Sequence, residues 1–257
     1  STGQSFTVAV SNATAFEFQR ANCTANNFTC LATGQIVNVH MSNLTTTGAL
    51  QANEVDFDDA ANTQQVTGTI VSFNGTPPTS FQMIMHNVVP SISNFSVGTP
   101  VTVTIGGNAA FLINNGTFVL PSNGTFGNNS DLLVGQEVEA RVSGTFTSGQ
   151  SPSFTTDRIA LEPSQVTATI ASTNPGNLSF LLNNLSPLFT QAPSGSIIQI
   201  QVFTASQTRF QTLPTGAFID LTNATPPNNV FSVGGFLFNT IGSTGSPTID
   251  AVAVAGP

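Results

Sequence analysis

The sequence predicts an all-β protein built from tandem small antiparallel β-barrels or sandwiches of the oligonucleotide/oligosaccharide-fold type. Short runs alternate apolar and polar residues between Gly, Asn, Pro and Ser, which is the pattern of strands joined by turns. No stretch has the period of an amphipathic helix. The chain also repeats itself, which predicts about two and a half units of about 100 residues each.

The opening part of the unit occurs twice. Residues 65–70, Gln-Val-Thr-Gly-Thr-Ile, return as residues 165–170, Gln-Val-Thr-Ala-Thr-Ile. A second apolar segment follows each of them, at 81–85 and at 178–182. We expect these segments to form the first two strands of each complete unit.

The later part of the unit occurs three times. It begins with a strand of alternating apolar residues, which are Phe6, Val8 and Val10, then Val101, Val103 and Ile105, then Ile198, Ile200 and Val202. A lone Phe follows at Phe16, Phe111 and Phe210. Next comes an apolar residue three positions before a Gly, at Leu31 and Gly34, Leu132 and Gly135, and Phe231 and Gly234. A further strand follows, and each copy closes on a short strand at Val55/Phe57, Ile159/Leu161 and Val252/Val254.

These repeats predict three units, at 1–63, 64–163 and 164–257. The first unit carries the loop between the two cysteines and lacks the opening pair of strands. A barrel removes its sheet edges only when all of its strands are present. We therefore expect an open sheet in the first unit and closed barrels in the other two.

The repeat resembles a bacterial family called domain of unknown function 5666. The matching residues are 66–70, Val-Thr-Gly-Thr-Ile, and the Leu-x-x-Gly-Gln-x-Val segments at 132–138 and 31–37. The third copy departs from that pattern with Gly-Gly at 234–235. The resemblance implies tandem small barrels on exported proteins, and it supplies no catalytic residues.

Composition excludes several classes of function. The net charge is −8, and the only cations besides histidine are Arg20, Arg141, Arg158 and Arg209. Such a chain cannot neutralise a phosphate backbone, so a nucleic-acid partner is excluded. The absence of Lys excludes a P-loop and Schiff-base chemistry. No apolar stretch is long enough to span a membrane as a helix.

Two features predict a mature chain outside the cell. Cys23 and Cys30 flank a small polar loop and suit a local disulfide, with free thiols as the alternative. The chain also holds twelve Asn-x-Ser/Thr sequons, which are candidate sites for covalent glycans. They begin at Asn12, Asn22, Asn27, Asn43, Asn74, Asn94, Asn115, Asn123, Asn128, Asn177, Asn184 and Asn223. An Asn/Thr-rich turn composition would generate such sequons without any modification.

Residues that could carry chemistry are few. His40 and His86 both lie in apolar, strand-like runs, and no Gly-x-Ser-x-Gly elbow accompanies them. A calcium site could form at Asp56, Asp58 and Asp59, although an outward-facing acidic strand end explains the same residues. The sequence therefore predicts a protein that is not an enzyme and needs no cofactor.

The favoured function is a subunit of an extracellular fibre, pilus-like filament or surface layer. The open first unit predicts that copies assemble into a homopolymer by β-strand complementation, and the alternative is that the second unit of the same chain covers the open edge. The donor candidates are the N-terminal strand, with Phe6, Val8 and Val10, and the C-terminal strand, with Val252 and Val254. The alternative is a secreted or surface-anchored module that binds a ligand such as a glycan, although the chain has neither Trp nor Tyr to stack on a sugar.

Overall fold

The computed structural model describes residues 7–18, 28–31, 37–44, 50–57, 64–89, 97–147, 152–192, 196–225, 229–239 and 246–256. The fold-class prediction is confirmed, because the protein is all-β with two closed five-stranded barrels and one further sheet. The chain divides into two compact units, residues 1–63 and residues 64–257.

The first unit contains a single sheet built around one central strand. Its strands are β1 (Val8–Ala9), β2 (Ala15–Phe18), β3 (Val37–Leu44) and β4 (Leu50–Phe57), and a 3₁₀ turn spans Phe28–Cys30. β4 is the central strand: β1 and β2 pair with it in parallel, one after the other, and β3 pairs with it antiparallel. A small core forms on one face around Ala52 and Val55.

The second unit begins with the central barrel, which we define as β5 to β9. These strands are β5 (Gln65–Asn74), β6 (Ser80–Val89), β7 (Pro100–Ile113), β8 (Glu137–Thr147) and β9 (Ser153–Glu162). The barrel closes in the order β5-β6-β7-β9-β8. β7 and β9 pair in parallel, and the other four pairs are antiparallel.

The C-terminal barrel, which we define as β10 to β14, repeats this topology. Its strands are β10 (Ser164–Asn174), β11 (Ser179–Asn183), β12 (Ile200–Gln211), β13 (Val230–Phe238) and β14 (Thr248–Ala255). The order is β10-β11-β12-β14-β13, with the parallel pair between β12 and β14. In both barrels the first two strands form a hairpin that joins the outer edges of the other three.

Two helical turns, α1 (Pro187–Thr190) and α2 (Ile219–Thr222), lie in loops of the C-terminal barrel. They could not be predicted from periodicity, because four residues are too few to display a helical period. Each turn buries one apolar side chain, Phe189 or Leu221.

The predicted alignment of the third copy was wrong at three points. Val254, matched from the sequence with Leu161, lies opposite Phe210 and therefore holds the position of Ile159, which lies opposite Phe111. Phe231 and Gly234 lie inside β13, whereas Leu132 and Gly135 precede β8. Ile198 lies before β12 and is exposed. Strand patterns repeat every second residue, so a shifted match keeps the same apolar alternation and cannot be recognised from periodicity alone.

The two barrels pack against each other through shared core residues. Phe236 and Phe238 of β13 are buried among the core side chains of the central barrel. Leu133 of the central barrel is buried in the core of the C-terminal barrel. The buried Gln136 side chain links the two, because its Nε2 donates to the Leu237 carbonyl at 2.9 Å. Each barrel therefore contributes side chains to the core of the other.

Candidate functional site

The strand registers show that the first sheet corresponds to the last three strand positions of each barrel. Val55 lies opposite Phe16 on one neighbour and Val39 on the other. In the central barrel, Ile159 lies opposite Phe111 and Ala140. In the C-terminal barrel, Val254 lies opposite Phe210 and Val233. The predicted equivalence of the three lone Phe residues is therefore confirmed.

The same registers identify which strands of the first sheet lie at its edges. β1 and β2 together hold the position of β7, β4 holds that of β9, and β3 holds that of β8. In the central barrel, β6 pairs with the outer edge of β7, and β5 pairs with the outer edge of β8. Within residues 7–57, as far as they are described, no strand pairs with the outer edge of β1 or of β3. These two edges, at Val8–Val10 and Val37–Val39, are what we call the open edges.

Apolar positions that are buried in the barrels are less covered in the open sheet. Val8 holds the position of Val103, and Val37 holds that of Val138. Val103 and Val138 are fully buried, whereas Val8 is half-buried and Val37 is 38% exposed. The inner face of the open sheet therefore presents apolar surface near both open edges.

Backbone hydrogen bonds at the equivalent positions of the central barrel indicate which amides of the first sheet face its open edges. Val10 holds the position of Ile105, whose N–H donates to the Thr79 carbonyl of the neighbouring hairpin at 3.0 Å. Met41 holds the position of Val142, whose N–H donates to the Gln64 carbonyl at 2.8 Å. Because strand amides alternate in direction, the N–H groups of Val8, Val37 and Val39 also face the open edges.

The segment that joins β1 to β2 is fixed to the central strand. The Ser11 N–H donates to Thr14 Oγ1 at 2.9 Å, and Thr14 Oγ1 donates to the Ala52 carbonyl at 2.9 Å. Thr14 is buried, so this hydrogen bond is shielded from water. β1 is therefore held as part of its own sheet.

The C-terminal donor candidates lie in a strand with two paired edges. Val252 and Val254 belong to β14, which pairs with β12 on one side and β13 on the other. Val254 is fully buried in the C-terminal barrel, and Val252 packs against the core of the central barrel. Release of this strand would open a closed barrel. Phe6, the first N-terminal candidate, lies outside the described residues.

Several other predicted residues also lie outside the described part of the chain. Cys23 lies there, and of Cys30 only the backbone, in the 3₁₀ turn, is described. Asp58 and Asp59 lie there too, while Asp56 is described only as a backbone position of β4. Among the side chains that are described, no group of three or more His, Cys, Asp or Glu could hold a metal ion. The disulfide and the calcium site stay predictions.

The sequons that the structure describes lie mostly at exposed turns and loop ends. Asn12, Asn74, Asn123, Asn128, Asn177, Asn184 and Asn223 are exposed, and Asn115 is half-buried. Asn43 is described only by its backbone in β3, and Asn22, Asn27 and Asn94 lie outside the described residues. Several of these amides already hold local hydrogen bonds: Asn115 Nδ2 donates to the Phe118 carbonyl at 2.8 Å, and Asn128 Oδ1 accepts from Ser130 N–H at 2.8 Å.

One polar cluster on the outside of the central barrel was not predicted. His86 Nδ1 lies 2.8 Å from Glu137 Oε1, and Thr69 Oγ1 donates to Glu137 Oε2 at 2.8 Å. The hydroxyl hydrogen therefore points to the carboxylate and not to His86 Nε2, which lies 3.4 Å away. This geometry joins three neighbouring strands and does not activate the Thr69 hydroxyl as a nucleophile. His40 lies on β3 opposite Glu54, and its side chain is exposed.

A buried carboxyl group lies where the two barrels meet. Asp250 of β14 has no exposed surface, and the Ser122 N–H donates to its two oxygens at 3.1 and 3.3 Å. Burial raises the pKa of Asp250 to about 6, although the hydrogen bonds from Ser122 oppose the rise. The carboxyl group therefore changes its charge at mildly acidic pH, inside the junction between the barrels.

A cleft of about 730 Å³ opens at the same junction. Phe73, Pro77 and Pro78 of the β5–β6 turn line one side, and Ile197 and Pro247 of the C-terminal barrel line the other. Leu132 and Leu133 also contribute to the lining, so the cleft is largely apolar. A pocket of this size and character could accept a small ligand.

Comparison with protein-family models found no match, and comparison with curated proteins found no significant similarity. The resemblance based on the short repeat motifs therefore stays a prediction. Among the described residues, none of the helices is long and apolar enough to cross a membrane.

Proposed function

We propose that the protein is a non-enzymatic extracellular structural protein, a subunit of a surface fibre, pilus-like filament or surface layer. Its copies assemble into a homopolymer by β-strand complementation at the open edges of the first sheet. The observation that carries this proposal is the contrast within one chain. Two copies of the repeat form closed five-stranded barrels, whereas the described residues of the first copy form three of the five strand positions and leave two edges open.

An unpaired sheet edge is a template for another strand. Each open edge presents a row of N–H and C=O groups, and the apolar face beside it gains free energy when a partner covers it. The half-exposed Val37 marks that face directly. A contact that uses two different edges of the same sheet is heterologous, and its repetition produces a filament unless the rotation closes into a ring.

The N-terminal strand is the better contact candidate of the two named from the sequence. Val8 and Val10 lie at an open edge, whereas Val252 and Val254 lie in a closed barrel whose strand is already paired on both sides. A contact at Val8 and Val10 therefore leaves both barrels intact.

Location outside the cell is supported by the cysteine pair and by the sequons. A local disulfide between Cys23 and Cys30 would persist only in an oxidising compartment. The exposed sequons at the barrel turns, such as Asn74 and Asn177, are accessible for covalent glycans.

The proposal is tested by sedimentation and electron microscopy of the full chain over a series of concentrations. We expect filaments or sheets in the wild type. Deletion of residues 1–10 should abolish them and leave the thermal transition of the two barrels unchanged. A wild-type chain that remains monomeric at every concentration would overturn the proposal.

A second candidate is a ligand-binding module, which the cleft between the barrels favours. Its lining offers one aromatic ring, Phe73, and polar groups at Ser130, Ser196 and Asn239. Titration with neutral oligosaccharides, followed by NMR, tests this function. Shifts confined to residues lining the cleft would support it, and no shifts at millimolar sugar would count against it.

A further inference from the structure

We propose that the partner of each open sheet is the open sheet of a second copy of this chain. The β3 edge of one copy pairs with the β1 edge of the next. This inference rests on the proposed function and deepens it by naming the two strands that meet.

A count of strands excludes an exchange of hairpins between copies. The described chain has three sheets of the repeat type and only two hairpins, β5–β6 and β10–β11, that join the edges of such a sheet. If a hairpin moved from a barrel of one copy to the open sheet of another, it would close that sheet but leave its own barrel open. Two open sheets, in contrast, supply each other with the neighbours that both lack.

Strand direction favours this pairing. β1 runs parallel to β4, and β3 runs antiparallel to β4, so β1 and β3 point in opposite directions. When the central strands of two copies point the same way, β3 of one copy lies antiparallel to β1 of the other. The closed barrels have the same antiparallel relation at the corresponding edges, between β6 and β7 and between β5 and β8.

The hydrogen-bonding groups are also complementary. The N–H and C=O groups of Val8 and Val10 face one open edge, and those of Val37 and Val39 face the other. In an antiparallel pair, each of these N–H groups donates to a carbonyl group of the other strand. The Val142 N–H donates to the Gln64 carbonyl in this way in the central barrel. The apolar side chains of the same residues then extend the inner face from one copy to the next.

Neither open edge carries the charged residues or prolines that often prevent edge pairing, although β1 is only two residues long and the register of β3 shifts at Met41. Natural edge strands are guarded by Lys, Pro or inward-pointing charges. The sequence contains no Lys, and β1 and β3 contain neither Arg nor Pro. The edges are therefore open to a second copy of the same chain.

Two proline variants test the inference. Val37→Pro removes an N–H from the β3 edge at the first residue of that strand, a position where Pro is tolerated. Val8→Pro removes an N–H from the β1 edge. Val37→Ile and Val8→Ile keep the N–H groups and an apolar β-branched side chain, so they are the matched controls. The readout is the mass of the species in solution, measured by light scattering after size-exclusion chromatography.

We expect each proline variant alone to remain monomeric under conditions where the wild type and the Ile controls assemble. An equimolar mixture of the two should form a discrete complex of one molecule of each, because one intact β1 edge and one intact β3 edge remain. Val37→Lys, which keeps the backbone N–H and places a charge on the inner face, should also be monomeric and provides a second route if the proline variant does not fold.

The outcomes separate this inference from the proposed function. If the proline and Lys variants assemble as well as the wild type does, the β3-to-β1 contact is overturned, but the proposal that the chain forms a filament still stands. If the wild type forms only a dimer and the variants are monomeric, the result would support the β3-to-β1 contact and overturn the filament. A wild type that never assembles would overturn both.

Discussion

Val37 and Val138 occupy the same position of the repeat, but only Val138 is buried. Val37 lies opposite Phe57, and Val138 lies opposite Leu161, at the same register between the fourth and fifth strand positions of the repeat. Val138 is fully buried because β5 covers its edge, whereas Val37 is 38% exposed. This difference in side-chain exposure reflects the coverage that the β5–β6 hairpin provides in a complete barrel.

The first prediction compares Val138→Thr with Val37→Thr. A hydroxyl group at the buried position lacks water, so Val138→Thr should destabilise the barrels by about 1–3 kcal/mol. Val37→Thr should change the stability of the monomeric first sheet by no more than about 0.5 kcal/mol, because water reaches the side chain. Denaturant unfolding under monomeric conditions measures both. Equal losses at the two positions would contradict the assignment of Val37 to an open edge.

The second prediction concerns pH and Asp250. A chain with few ionisable groups should show little pH dependence, but this carboxyl group has a folded pKa of about 6 against an ordinary value of 3.8. The folded state therefore holds the proton more tightly. Its contribution to stability is fully present below about pH 4 and is lost as the pH rises through 6. The loss is about 3 kcal/mol at 1.36 kcal/mol for each pKa unit.

Asp250→Asn should remove this pH dependence and make the barrels more stable than the wild type at pH 7. Asp157→Asn is the control, because hydrogen bonding to Arg141 lowers the pKa of Asp157 below its ordinary value. Its contribution is lost only as the pH falls, so the decline between pH 4 and 6 should persist in that variant. Unfolding curves between pH 3 and 8 that are flat in the wild type would contradict the buried, raised-pKa carboxyl group.

The third prediction separates packing from backbone strain at two glycines with the same φ of +89°. A Cβ at Gly135 would collide with the buried ring of Phe189, whereas a Cβ at Gly144 would meet open space. Gly144→Ala should cost about 1–2 kcal/mol through backbone strain alone. Gly135→Ala should cost about 1–3 kcal/mol more, because the ring must move. Thermal unfolding of the two variants checks this order, and a larger loss in Gly144→Ala would be inconsistent with it.

The fourth prediction tests the hydrogen bonds that join the barrels. Gln136 is fully buried, donates to Leu237 and Asp131 carbonyls, and accepts from the Leu133 N–H at 2.7 Å. Gln136→Met would leave buried backbone groups without partners and should cost about 2–4 kcal/mol. Gln82→Met, at an exposed position of β6, should be close to neutral. Differential scanning calorimetry of the two variants measures the difference.

The sequence was sufficient to predict the repeat architecture because alternation and self-similarity are local properties. Phe16, Phe111 and Phe210 were matched correctly, and the registers opposite Val55, Ile159 and Val254 confirm that match. The open sheet also followed from the repeat, since the first copy shows only the later strands.

The features that depend on contacts between distant residues could not be predicted. Asp250 meets Ser122 across 128 positions, and Gln136 meets Leu237 across 101. No local pattern encodes such partners. Thr69, His86 and Glu137 come together because β5 pairs with both β6 and β8, which is a consequence of barrel closure.

Hydrogen exchange of the wild-type chain before and after assembly tests the central claim most directly, because it needs no substitution. In the monomer, the amides of Val8, Val10, Val37 and Val39 should exchange rapidly, while those of Val138 and Ala140 are protected. After assembly, protection should spread to all four open-edge amides, and the exchange of the barrel amides should be unchanged. If these four amides still exchange rapidly within the assembled material, the copies do not meet through this sheet and the account is wrong.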